Sequence, residues 1–163
     1  MSTSNVQSDQ AWGALANATV EERERVMDQR CKELGALSEE ERVSQMAAMA
    51  RAEYALPEVD LRTFTLSRLR TWLKLDEDTG RKMSASYDAV MLNMPGQAAM
   101  RRVALVQTLA RDFSREDQVK LVALIPNVFG GFTDLLQPTG FETRPTTERA
   151  APAKKGWWPF GRG

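Results

Sequence analysis

Thr19 stands three residues ahead of Glu22, and Ser38 three ahead of Glu41. Each pair has the form of a capping box, in which a hydroxyl and a carboxylate satisfy exposed backbone N–H groups reciprocally at a helix start. Glu21, Glu22, Glu39, Glu40 and Glu41 also sit where the positive end of a helix dipole favours anions. Gly35 and Pro57 supply the stops. One helix is expected from about Val20 to Leu34 and a second from Glu39 to about Leu56. Starts and stops this close together confine the chain to short helices, which need each other's apolar faces for stability. Thr19–Leu37 and Ser38–Leu56 share their caps and the pair Met27/Met46. Beyond these the similarity fades, and it reads as shared capping grammar.

The same punctuation continues. A third helix is expected from Asp60 to Leu75, where Leu61, Phe64, Leu69, Trp72 and Leu73 keep mostly helical spacing, although Thr63–Leu66 alternates briefly and would also suit extended chain. Asp76-Glu77-Asp78 opens a fourth, with Met83, Tyr87, Val90, Met91 and Met94 at three- and four-residue steps. Pro95 ends it or starts the fifth, Gln97–Phe113. Ser114 and Asp117 cap a sixth, kinked at Pro126 and stopped by Gly130-Gly131. Its run Leu121–Phe132 is read as a core helix buried all round, against the alternative of a membrane-dipping or partner-binding hairpin. Isoleucine occurs once, at Ile125, and β-branched residues are the ones that favour sheet. The expected fold is all-α: a single compact domain of five or six helices over residues 12–137, after a flexible N-terminus, residues 1–11. From Pro138 onward, proline, glycine, threonine and lysine signal a disordered C-terminal tail, a flexible linker over 138–163 with a basic-aromatic tip.

The formal net charge is zero, 22 cations against 22 anions. That total hides a front, residues 1–60, with 6 cations and 12 anions, and a tail, 138–163, with 5 and 2. There is no histidine, which removes the Ser-His-Asp triad and His-based metal centres. The chain has one cysteine, Cys31, beside Lys32 but without an imidazole base, so it reads as a buried structural thiol. The acidic triplet at 76–78 departs from a calcium loop, with Arg81 where glycine is required and Tyr87 where glutamate is required. No catalytic residue, cofactor or metal is expected, and enzyme status is disfavoured. Arg62, Arg68, Arg70, Lys74, Arg81 and Lys82, with Arg101-Arg102, offer a weak nucleic-acid case, read first as an ordinary charged face.

The tail tip is the least ordinary feature. Trp157, Trp158 and Phe160 are flanked by Lys154, Lys155 and Arg162, in a segment without local means of burying them. Exposed aromatics mark partner surfaces, and tryptophan is enriched at binding hot spots. The tip would dock to another protein, meet an anionic membrane surface, or fold back on its own domain. The leading expectation is a non-catalytic accessory protein, a subunit, adaptor or assembly factor, cytoplasmic or peripheral at the membrane, that binds a partner protein. The alternatives are a small helical DNA- or RNA-binding regulator using the Arg68–Lys82 region, and a carboxylate-based or cofactor-dependent enzyme.

Overall fold

The structure, a computed structural model, describes residues 9–130. Residues 9–13 are helical and run into a 3-10 turn, Ala14–Asn17. Seven α-helices follow: α1 Val20–Gly35, α2 Glu39–Tyr54, α3 Glu58–Lys74, α4 Glu77–Leu92, α5 Gly96–Ala110, α6 Arg115–Leu124 and α7 Pro126–Phe129. The described residues contain no strand. All-α is therefore right, but these eight helical segments replace the five or six expected. One extra segment is the N-terminal turn. The other arises because Pro126 breaks the last helix instead of kinking it: Ile125 leaves the helical region at φ −129° and ψ 60°, and the proline starts α7. The expected tail, residues 138–163, lies outside the described residues.

Local chemistry sets the helix starts. The side chains of Thr19, Ser38, Asp76 and Ser114 accept from the backbone N–H of Glu22, Glu41, Thr79 and Asp117. Only Ser38 completes a capping box, with its own N–H donating to Glu41 Oε2 at 3.1 Å. The expected second box is half formed, because the Glu22 carboxylate pairs with Arg25 at 2.7 Å instead. Thr63–Leu66 is helical, inside α3.

The helix starts are evenly spaced. The N-caps of α1 to α6 are residues 19, 38, 57, 76, 95 and 114, so successive caps are 19 residues apart. An apolar residue precedes each cap after the first: Leu37, Leu56, Leu75, Met94 and Phe113. The likeness of the first two helices is thus one instance of a pitch that runs through six units. Side-chain identities diverge from unit to unit, and the caps and burial pattern carry the period. Counting the cap as one, the fifth, ninth, twelfth and sixteenth residues fall on one helical face. All four are buried in the second, third and fourth units. In the third they are Leu61, Thr65, Arg68 and Trp72; in the fourth, Gly80, Ser84, Tyr87 and Met91. Gly80 is closely packed there: a Cβ would stand 3.3 Å from Leu124 Cδ1, so a larger residue has to displace that methyl.

Alternate helices pack most extensively, α2 against α4 and α1 against α3. Over these four helices the chain crosses at each turn between two rows. Between them lie Met27, Met46, Met49, Leu61, Phe64, Leu69, Trp72 and Met83, each 2% exposed or less. Burial of each such side chain contributes about 1.5–3 kcal/mol, and the thioethers fill gaps between helices of unequal side chains. The run after residue 120 is buried on one face only: Leu121, Ile125, Val128 and Phe129 are inside, while Val122 and Leu124 are half-buried and Ala123 is exposed. That corrects the expectation of burial all round, and residues 131–132 of the run lie outside the described part.

Candidate functional site

Two places concentrate polar chemistry. The first is the core. Glu53 and Arg68 occupy positions on the buried faces of α2 and α3, at 0% and 1% side-chain exposure. The Arg68 guanidinium donates to Glu53 from Nε at 3.1 Å and Nη2 at 3.2 Å. The hydroxyls of Thr65 and Tyr87 donate to the same carboxylate, each at 2.5 Å. Arg68 Nη1 has no hydrogen-bond partner, but the guanidinium carbon lies 4.7 Å from the Trp72 ring centre and 4.5 Å from that of Tyr87. The two rings meet edge to face, 5.6 Å apart. Burial opposes the charge on Arg68, and the facing Glu53 carboxylate overrides it, so the guanidinium is held above its usual pKa. Burial, then the Glu53 charge, raises the Tyr87 phenol well above its ordinary value and Tyr54 to about 12. Both Glu53 oxygens are occupied and shut away from solvent, so this cluster is suited to holding helices together and unsuited to meeting a substrate.

Periodicity alone misses this cluster because arginine and glutamate count as surface residues. A signal existed nonetheless. Glu53 falls in register with Met46 and Met49, and Arg68 with Phe64 and Trp72, so each is a charge on an apolar stripe. Three more arginines are inside. Arg23 donates to the carbonyls of Leu15, Ala16 and Ala18, Arg42 to Leu37 O and Ser86 Oγ, and Arg102 pairs with Asp88.

The second place is a groove of about 580 Å³ where the start of α1, the end of α3 and the α5–α6 turn meet. Val20, Leu73 and Phe113 give it apolar wall. Glu21, Glu24, Asp112 and Asp117 line it against two cations, Arg70 and Lys74. Lys74 bonds Glu24 Oε2 at 2.8 Å, and Arg70 Nη1 stands 3.6 Å from Oε1. Glu24 Oε1 is buried and accepts no hydrogen bond. Two further concavities differ in charge. One, between the end of α2 and the start of α5, carries Arg51 and Arg101 and no acid; the other, beside Trp12, carries Arg30 and Glu33.

The basic stripe expected over Arg68–Lys82 does not form one face. Arg68 is in the core, Arg70 and Lys74 converge on Glu24, and Arg81 and Lys82 pair with Glu77 and Asp78 on their own helix. Arg62 lies 3.8 Å from Asp112, and Arg101 pairs with Glu58. Cys31 is buried as expected, and burial pushes its thiol up to about 12. Asp76 is a cap, bonding Thr79 N at 2.9 Å. The expected tip residues Lys154, Lys155, Trp157, Trp158, Phe160 and Arg162 lie outside the described residues. Among the described residues, no helix is long and apolar enough to cross a membrane. Comparison with protein-family models, with curated proteins and with solved structures gives no match for this chain.

Proposed function

We propose that this protein is a non-catalytic accessory protein, a subunit, adaptor or assembly factor, that binds a partner protein through its helical stack and its Trp157–Phe160 tip. The observation that carries the reading is the pitch of 19 residues between caps, which builds the described part from six helical units of equal spacing. Repeated helical units are a common way to present surface for contact. Two further observations agree with it. Glu53, Tyr87 and Cys31 are buried in the interior. Outside, Leu92, Val59 and Met100 are 87%, 76% and 72% exposed, which leaves apolar side chains free for contact.

The test compares the full chain with one lacking residues 157–163, by affinity capture from the native host and by membrane fractionation. The expected result is loss of a captured partner, or of membrane association, at unchanged thermal stability. Identical partners and identical fractionation would overturn the role of the tip. No specific observation favours the nucleic-acid alternative, since the stripe it needs is paired or buried.

A further inference from the structure

We infer that the groove between α1, α3 and the α5–α6 turn is the seat of this chain's own tip, Lys154–Arg162. The groove has what a basic-aromatic segment needs. Val20, Leu73 and Phe113 offer apolar contact for indole and phenyl rings. In the lining four carboxylates stand against two cations, both of which converge on Glu24, while Asp112 also faces Arg62 at 3.8 Å from outside the groove. Lys154, Lys155 and Arg162 complement that surplus. Glu24 Oε1 accepts no hydrogen bond, its nearest cation being Arg70 Nη1 at 3.6 Å, so it keeps a lone pair for a donor arriving in the groove. Both tryptophans of the tip carry an indole N–H, which is only a donor.

Charge selects this groove over the other two. The concavity with Arg51 and Arg101 is lined by no carboxylate, its two arginines being paired with Asp9 and Glu58, so it offers a basic tip no counter-charge of its own, and the one beside Trp12 has one charge of each sign. Reach does not limit the choice. Residues 131–156 separate the last described helix from Trp157. At about 3.3–3.6 Å per residue such a length of chain can span up to roughly 90 Å, whereas a domain of this size has a radius of gyration near 14 Å. A tethered segment also meets the groove at an effective concentration that a separate molecule of the same chemistry must match. The contact is a property of the isolated chain and does not depend on the partner reading above.

The test places a nitroxide on the full chain through Gly156→Cys. Cys31 is buried with a raised thiol pKa, so it stays unlabelled. Amide signals of Val20, Leu73 and Ser114 are expected to lose more than half their intensity relative to the reduced label. The loss should disappear with Trp157→Ser/Trp158→Ser, which leaves the described helices untouched, and shrink with Glu21→Lys/Asp112→Lys or at 0.5 M salt, where screening acts within about 4–5 Å. Broadening elsewhere on the domain, or none, overturns the proposal. So does broadening seen only when labelled chains are mixed with unlabelled isotope-enriched chains, which would mean a second copy fills the groove. Loss of the captured partner with the groove signals intact would bear on the accessory role and leave this contact standing.

Discussion

Glu53 and Arg68 show how much a pair of residues can hold. Removing one leaves the other charge buried without its counter-ion, which costs about 3–5 kcal/mol. Glu53→Gln should therefore lower the unfolding free energy by that amount in a urea titration. Replacing both with methionine, together with Thr65→Val and Tyr87→Phe so that no hydroxyl loses its acceptor, should be far milder, because replacement of a buried ionic network by apolar groups of similar volume is often neutral or stabilising by up to about 4 kcal/mol. A combined variant as unstable as the single one would refute this account of the cluster. Titration gives a second expectation at this scale. The Cys31 thiol is raised from 9.0 to about 12 and the Tyr54 phenol from 10.0 to about 12. The folded state thus keeps protons that the unfolded state releases. The stability these groups contribute is fully present below pH 9 and falls as pH rises from 9 toward 12. Each proton adds a slope of at most about 1.4 kcal/mol per pH unit. Denaturation midpoints measured at pH 8, 9.5 and 11 should fall steadily, and a thiol reagent should reach Cys31 only in denaturant.

At the scale of the element, most boundaries were legible and most interior partners were not. Thr19, Ser38, Asp76 and Ser114 announce helix starts because a side-chain oxygen at an N-cap satisfies an otherwise orphaned N–H, a purely local event. Ser38→Ala should cost about 1 kcal/mol by loss of that bond. Thr19→Ala should cost less, since Glu22 is engaged with Arg25 and the reciprocal half of the box is missing. Thermal melts of the two variants side by side test the order; a larger loss at Thr19 would contradict it. Pro126 breaks the helix where its sequence suggests a kink, because a proline in a helical pattern does either, and which one happens depends on what the next turn can bury. Here Val128 and Phe129 are buried, and Gln107 Nε2 donates to Val128 O at 2.8 Å, so a separate short helix is held in place. The interior arginines were hidden for a different reason. Their partners include the hydroxyls of Ser67 and Ser86, each 44 residues away, and pattern along a single helix does not see across the fold.

For the whole molecule, the even pitch of the caps predicts how stability is distributed. In stacked arrays each unit touches its neighbours, and end units have fewer. The second, third and fourth units bury all four face positions, whereas the fifth and sixth leave two half-buried. Amide exchange should therefore be slowest in α3 and its neighbours and fastest in α6 and α7, by native-state hydrogen exchange. Equal protection throughout would mean the array behaves as one indivisible unit. The period escaped notice in the sequence because its carriers are few: a cap of varying type, an apolar residue before it, and a face that holds arginine or glutamate as readily as methionine. The candidate groove was equally hidden, since Glu24, Leu73 and Phe113 come from three separate units.

Repetition carries a hazard that the Glu53–Arg68 contact answers. Units of equal length with similar caps are interchangeable, and a helix could settle one place out of order and still bury methionine and leucine. A carboxylate in the second unit that only a guanidinium in the third can neutralise acts as an address label. A shifted arrangement would strand both charges in an apolar interior, so misassembled chains are discouraged before they can persist.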